Sequence, residues 1–394
     1  MHVFTSVTVN YIPKARVLAK SVKKFHPECK FHLLLSDIKP QWLDEEKEPF
    51  DSIVLIEDLG IKDLNSWIFK HSLVEMCTAV KGFAFQYIFD QYQADRVFYF
   101  DPDMVVFSRL DSLLEKLENS SVVLTPHLTA QEENVQGVLD NEISCLKHGV
   151  YNLGFLAVKS SSAGRKFIDW WSSRLAAFCY DDIGGGLFTD QKWVDLAPCF
   201  FTDIHIAVEP VYNVATWNLS NRVATGTIDD GLLINGKPLC FYHFSGFDSG
   251  AQQAMLDVYG GKSPVLTQLR EWYIAACRTE GQEEIGNFSC VYSGFENGEP
   301  IRVNHRYLYR ARQDLRQAFP DPFSTQDIDH SYYHWFEANL EKEGLDIDCG
   351  SHSLETKEGL RAALAESRRE LEMIKSSRRW RLASALVKIW RPNS

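Results

Sequence analysis

Near the N terminus, His2-Val-Phe-Thr-Ser-Val-Thr-Val9 is a β-branched and aromatic run that predicts a strand. Ala15 to Phe25 then brings Val17, Leu18 and Val22 to helical spacing, with Lys20, Lys23 and Lys24 around them. Phe31 to Leu35 and Ile53 to Ile56 are short, apolar and flanked by turn-forming residues, the pattern of buried strands. Ser72 to Phe89 is long enough for a helix and free of breakers apart from Gly82. Arg96-Val-Phe-Tyr-Phe100 is a further buried strand and ends on Asp101-Pro102-Asp103. Val122 to Leu124, Tyr151 to Val158 and Leu239 to His243 are strand-like, and Ala163 to Phe178, which contains Trp170-Trp171, is helical. Strands alternating with helices of this length predict an α/β domain with a largely parallel sheet, in which ligands bind at the carboxyl ends of strands.

After Lys262 the alternation gives way to helix and loop, with Asn297-Gly298-Glu299-Pro300 as turn chemistry and a Tyr/Trp-rich stretch from Ser331 to Phe336. From Leu354 a segment rich in Ala, Glu, Arg and Leu sets Leu360, Leu364, Leu371 and Ile374 on one stripe, as in a helical arm or short coiled coil. The expected division is therefore 1–262 for the α/β catalytic domain, 263–350 for a small, mainly helical accessory module on the acceptor side, and 351–394 for a helical arm with a basic tail. Oligomerisation through 354–376 is one use of that arm.

Composition narrows the classes. At 394 residues, 45% hydrophobic and 24% charged, the chain is an ordinary globular protein, neither disordered nor collagen-like. Its nine cysteines are scattered with no C-x-x-C spacing, which fits reduced thiols better than a disulfide framework or a zinc site. A net charge of −12 argues against nucleic acid as partner. Six basic residues and no acidic one follow from Lys375 onward, so the body is more acidic than the whole. No run approaches eighteen apolar residues, and Met1 to Ser6 lacks a basic segment leading into a long apolar one, so a cytoplasmic protein is expected.

Asp-x-Asp occurs three times, at 101/103, 327/329 and 346/348. The last two lie in polar surroundings with no preceding strand and read as surface turns. Asp101 and Asp103 end an apolar strand, where two carboxylates are costly to desolvate unless a cation joins them. Hard oxygen ligands suit Mn²⁺ or Mg²⁺. A strand-ending turn with solvated carboxylates is the alternative. His243, at the end of another apolar strand and followed by Phe244-Ser245-Gly246, is either a third ligand or a hydrogen-bonded side chain. Tyr151-Asn152-Leu153-Gly154-Phe155 and Gly184-Gly185-Gly186-Leu187-Phe188-Thr189-Asp190-Gln191 set short polar side chains beside glycine, as suits a site for sugar hydroxyls. Taken alone, a turn at Asn152 and a helix N-cap at Asp190 account for them better.

Taken in order, Asp101-Pro-Asp103, Tyr151-Asn-Leu-Gly-Phe155, Asp190-Gln191 and His243-Phe-Ser-Gly246 resemble the retaining GT-A glycosyltransferases of family eight, which includes glycogenin and bacterial lipopolysaccharide galactosyltransferases. Val7-Thr-Val-Asn10-Tyr11 and Glu75-x-x-Thr78-Ala79-x-Lys81 agree with it, and the resemblance covers about residues 1 to 260. It implies a GT-A fold and transfer of a hexose, with retention, from a nucleotide diphosphate sugar such as a UDP-sugar to a glycan, lipid-linked glycan or protein acceptor. By the same resemblance Asp101, Asp103 and His243 hold Mn²⁺ or Mg²⁺ against the diphosphate, Thr8 and Asn10 touch base and ribose, and Lys81 lies near the phosphates or donor sugar. Asn152, Asp190 and Gln191 contact the donor sugar, Gln191 on the face of the expected nucleophile or oxocarbenium stabiliser, and Gly246 belongs to the phosphate loop. One departure stands out: the family continues past that glycine to Lys-Pro-Trp, whose lysine grips phosphate, whereas here Phe247-Asp248-Ser249-Gly250 follows. Another cation, Lys81 or Lys192, is then required, and the chain reads as a divergent bacterial relative.

Two rivals remain. A nucleotidyltransferase would carry a glycine-rich basic stretch after the first strand, where Asn10-Tyr-Ile-Pro-Lys-Ala-Arg16 has no glycine. A non-catalytic nucleotide-sugar-binding scaffold would share the whole layout. Residues 374–391 interleave Trp380, Leu382, Leu386, Val387, Ile389 and Trp390 with six cations, a composition suited to an anionic membrane surface, which would make the protein peripheral at the inner face, or to docking on its own acidic body.

Overall fold

The first half follows the hydrophobic alternation closely. Strand β1 (His2–Val7) leads through a 3₁₀ turn at Val9–Tyr11 into helix α1 (Ile12–Phe25), and β2 (Lys30–Leu35) and β3 (Ser52–Leu55) follow. The three strands are parallel, Val7 opposite Leu35 and Leu35 opposite Leu55. α1 has Pro13 in its first turn and Lys23 and Lys24 in its last, which suit the fixed φ of the start and the negative end of the helix dipole. It buries Ile12, Ala15, Leu18, Ala19 and Val22 against the sheet core.

The helix expected over 72–89 is two helices. After α2 (Leu64–Phe69), α3 (Leu73–Ala79) and α4 (Lys81–Gln91) meet at Val80. Ser72 and Glu75 form a capping box that starts α3. Strand β4 (Arg96–Phe100) then pairs parallel to β1, and short β5 (Met104–Val106) leaves the main sheet to pair antiparallel with Phe241–His243. β6 (Val122–Pro126) and β7 (Tyr151–Lys159) complete the central sheet, whose order is Ile204–Ile206, β6, β7, β4, β1, β2, β3. β7 runs antiparallel to both neighbours, and its first eight residues are buried, which explains a nearly continuous apolar sequence.

Phe100, Phe155 and Phe241 knit together three strands that carry candidate residues: their ring centroids lie 5.2, 5.2 and 5.0 Å apart. Truncating one such buried ring costs about 3–5 kcal/mol, so the positions of Asp101, Asn152 and His243 are tied to one aromatic cluster.

The computed structural model describes residues 1–260 and 263–340, which fall into two compact units divided after Ser293. The boundary lies later than 262 because helices Pro264–Thr279 and Gln282–Ile285 bury Leu266, Leu269, Tyr273, Cys277 and Ile285 in the core of the first unit. The second unit, from Gly294, contains helices Val303–Ala311 and Tyr332–Asn339 and centres on Tyr309, Tyr332 and Phe336. In it Asp327 accepts the N–H groups of Asp329 and His330, the surface turn anticipated for this Asp-x-Asp. Asp346/Asp348 and the arm and tail over 351–394 lie outside the described residues. Among the described residues no helix is long and apolar enough to cross a membrane, and all eight cysteines are free.

Candidate metal and donor site

Asp101 follows the last residue of β4, and its N–H donates to the Gly154 carbonyl of β7 at 2.7 Å. The Asp-Pro-Asp segment is a tight turn, closed by the Met104 N–H on the Asp101 carbonyl at 3.0 Å, and Pro102 fixes φ inside it. Strand Phe241–His243 is anchored on the far side of this turn by the Phe244 N–H on the Asp103 carbonyl at 2.8 Å. These two attachments bring His243 Nε2 to 3.2 Å from Asp103 Oδ1 and 3.8 Å from Asp101 Oδ2. One ligand atom from each of the three residues lies within 4.8 Å of the others. His243 is buried, while the two carboxylates remain partly open, which is the arrangement of a cation site reached from solvent. Two carboxylate oxygens and one imidazole nitrogen are a donor set that fits Mn²⁺ or Mg²⁺.

The histidine is oriented by a residue that the sequence reading missed. Asn213, buried and in the left-handed region at φ 47°, places Oδ1 3.3 Å from His243 Nδ1. Its Nδ2 donates to Asn152 Oδ1 at 2.9 Å and to Thr125 Oγ1 at 3.0 Å. Because Asn152 Oδ1 also accepts the Gly154 N–H, it must face a donor, and this settles which end of the Asn213 amide is oxygen. Nδ1 of His243 therefore carries a proton, and Nε2 faces the carboxylates. The only sequence hint was an asparagine where an αL backbone is needed. Burial alone would lower the His243 pKa, but Asp103 and then Asp101 outweigh it and raise it. Asp103 is in turn held below its ordinary value against burial, chiefly by His243. A divalent cation competes with a proton for the same nitrogen.

Asn152 lies within β7 rather than in a turn, and its Nδ2 meets His127 Nε2 at 3.1 Å. Burial lowers the His127 pKa to about 4, so this ring is neutral. Gly154 is required by space: a Cβ there would lie 2.7 Å from His243 Cε1 and 2.8 Å from Asn152 Oδ1.

Asp190 precedes the short helix Gln191–Val194, but its carboxylate makes no capping bond. It accepts from Lys81 Nζ at 2.8 Å instead, and the same ammonium reaches the Leu153 carbonyl at 3.1 Å and Asp101 Oδ1 at 3.4 Å. Lys81 opens α4 and lies over the Tyr99 ring, whose hydroxyl donates to Asp101 Oδ1 at 2.6 Å. Burial would lower the Lys81 pKa, but Asp101 and Asp190 together raise it, so the ammonium stays charged. Lys81 thus joins Asp190 to the metal-side turn. Gln191 is buried and donates from Nε2 to the His148 carbonyl at 2.9 Å. Lys192 is engaged by the Leu146 carbonyl and Asp195.

At the carboxyl ends of β1 and β2, Thr8 Oγ1 donates to Asn10 Oδ1 at 2.6 Å, and buried Asp37 accepts the N–H groups of Val9, Ile38 and Val291. Gly246 adopts φ 73°, which a side chain would disfavour, and starts the loop to Gly250. Beyond it, Asp248 accepts from the Tyr11 hydroxyl at 2.6 Å and from the Lys14 ammonium. Lys14 and Asp248 were not anticipated as site residues.

Residues 2–171 match the model of a family described as Glycosyl transferase family 8. That segment contains β1, Lys81, the Asp-x-Asp turn and Asn152; Asp190, Gln191 and His243 lie beyond it. Two curated relatives are the uncharacterized proteins YfnF and YfnD of Bacillus subtilis (strain 168). YfnF is 28% identical over 178 residues, 44% of this chain and 57% of its own length. YfnD is 24% identical over 253 residues, 62% of this chain and 78% of its own length. Among solved structures, the galactosyltransferase LgtC with donor and acceptor sugar analogs is similar at 19% identity and a TM-score of 0.42. That match covers 71% of this chain and 96% of LgtC. The glycosyltransferase GlyE of Streptococcus pneumoniae TIGR4 is similar at 16% identity and a TM-score of 0.38, covering 70% and 64%.

Proposed function

Starting from the relation of residues 2–171 to glycosyl transferase family 8, we propose that this chain is a metal-dependent glycosyltransferase, moving a hexose from a nucleotide diphosphate sugar, a UDP-sugar in the first instance, to a glycan or lipid-linked glycan. The observation that carries the reading is the convergence of Asp101, Asp103 and His243 at the carboxyl end of β4. These three would hold Mn²⁺ or Mg²⁺. When bound, such an ion supplies neutralising charge for the diphosphate that leaves as the sugar bond breaks.

The remaining roles belong to the chain's own side chains. Asn213 fixes the face that His243 presents, and Tyr99 and Lys81 hold Asp101 from the other side. Lys81 pairs with the Asp190 carboxylate in a buried setting and favours its charged form, next to Gln191, where positive charge developing on the donor sugar would be stabilised. Asn152 contributes hydrogen bonding beside the sugar, and Thr8 and Asn10 contact base and ribose. Retention at the anomeric carbon, a cytoplasmic location and contact of 374–391 with an anionic membrane surface belong to the same proposal.

The test is nucleoside diphosphate release from a panel of nucleotide sugars, with an acceptor extract, in Mn²⁺ and in excess chelator. Activity should vanish in chelator and return with Mn²⁺, and Asp103→Asn should lower it by about two orders of magnitude or more. Full activity in chelator refutes the proposal. Binding of a nucleotide sugar without release under every acceptor points to the scaffold reading, and formation of a nucleotide sugar from a sugar phosphate points to a nucleotidyltransferase.

A further inference from the structure

Charge balance at the site leaves a gap. Two carboxylates and one divalent cation cancel, whereas a diphosphate brings two or more negative charges that need a cation of their own. Lys81 is fully engaged, with Asp190 and Asp101 both drawn to its ammonium. Lys192 is held by Leu146 and Asp195. A third cation is Lys14, in the first turn of α1, just after the 3₁₀ turn at Val9–Tyr11.

Its setting is unusual. The Lys14 side chain is only 2% exposed, yet its carboxylate partner, Asp248, is 50% exposed. A buried ammonium needs an anion, but nothing in that need requires the anion to stand half in water. Asp248 is carried by a loop that grows from the metal site itself, since the Phe244 N–H is bonded to the Asp103 carbonyl. The loop is bounded by Gly246 and Gly250, both at positive φ. Tyr11 donates to the same carboxylate, and the Lys14 ammonium lies 4.1 Å from the Tyr11 ring centroid.

Building on the donor reading above, we propose that Lys14 is the cation that receives the diphosphate, and that Asp248 occupies it as an internal anion until the donor displaces it. Tyr11, freed from Asp248 in the same event, offers its hydroxyl to a phosphate oxygen. The loop's acidic residue thus acts as an internal competitor, which disfavours weakly charged anions and lets through only a ligand that also engages the metal.

The assignment is tested by titrating the full chain, in Mn²⁺, with inorganic pyrophosphate and with inorganic phosphate by calorimetry. The chains are the unmodified protein, Asp248→Asn, Lys14→Gln and the double variant. Removing the competing carboxylate should tighten pyrophosphate binding by about tenfold, and removing the ammonium should weaken it by about tenfold or more. The double variant should lose most of the gain seen in Asp248→Asn, because Lys14 is the charge that Asp248 covers and only the Tyr11 hydroxyl is left for its removal to release. Phosphate, able to engage one partner but not both, should bind the unmodified chain far more weakly and gain most from Asp248→Asn. Tighter binding is an outcome that a damaged fold does not produce, so Asp248→Asn decides the matter even if Lys14→Gln unfolds, and Lys14→Arg then serves as the second probe. Unchanged or weaker binding by Asp248→Asn, or a gain that persists in full without Lys14, overturns the assignment while leaving the donor reading intact. No pyrophosphate binding by any chain overturns both.

Discussion

The Lys81–Asp190 pair is the most consequential buried contact in the site, and Lys81→Met is the perturbation that exposes its role. Met fills most of the same volume and removes the charge together with its hydrogen bonds to Asp190, Asp101 and the Leu153 carbonyl. It leaves Asp190, 3% exposed, with the Thr189 hydroxyl at 3.2 Å as its remaining side-chain hydrogen bond. Breaking a buried pair from one side costs about 3–5 kcal/mol, because the surviving charge has neither water nor a counter-ion. For a urea slope of about 3 kcal/mol per M, the midpoint should fall by about 1 M or more. The loss is pH-dependent, with a definite sign. Burial raises the Asp190 carboxyl pKa even with Lys81 pulling it down, and without Lys81 it rises further. A carboxyl with a folded pKa above its unfolded value of about 3.9 bears its full penalty above the folded pKa and sheds it as pH falls toward the unfolded one. The deficit relative to the unmodified chain should therefore narrow between pH 8 and pH 5. Asp190→Asn placed on top of Lys81→Met should recover most of the loss at pH 8. Urea unfolding followed by fluorescence and circular dichroism at both pH values reads all three quantities. A loss under about 1 kcal/mol, or a deficit that ignores both pH and the Asp190 substitution, refutes the reasoning.

Asn213→Ala should weaken Mn²⁺ binding by about 10- to 100-fold, read by the spectrum of free Mn²⁺, since the histidine loses the acceptor that orients it. Asn213→Gly, which keeps the left-handed backbone but not the amide, should behave the same; recovery with glycine would mean that the backbone alone matters. Gln191→Ala should lower kcat far more than it raises KM for the donor, and product NMR should show a retained linkage; an inverted product refutes that part of the proposal. Truncation after Leu371 should abolish flotation with anionic liposomes at low salt, and equal flotation with and without the tail means that 374–391 is not the membrane contact.

The strands were legible because both faces of the sheet are covered, so each reads as an apolar run, and the two carboxylates were legible because a strand announces where its end falls. His243 was picked out for the same reason. Lys81 was named as a phosphate or donor-sugar group, and the sequence could not show that Asp190, 109 residues away, would claim it. The break at Val80 was hidden because helix propensity continues through it. Asn213 sits in a short irregular stretch with no periodicity, so its role depends wholly on tertiary placement. Lys14 entered only as part of the glycine-free stretch Asn10 to Arg16, and burial is what distinguishes it from Lys20, Lys23 and Lys24. The 263–293 boundary slipped because a change from strand to helix marks a change of architecture, and the same core can continue across it.

The pairing of β5 with Phe241–His243 also has a bearing on biosynthesis. Val106 and Phe241 are ladder partners, so an apolar edge made early in translation waits for a strand made much later. At the usual pace of elongation that interval is on the order of ten seconds. Throughout it, the ribosome-bound chain carries both aspartates beside an open edge with no histidine to complete them. Nascent fragments ending before Phe241 should be prone to sticking through this edge and, on the proposed metal-dependent reading, blind to manganese. Competence for the metal would then arrive as a late step of maturation, set by the clock of synthesis.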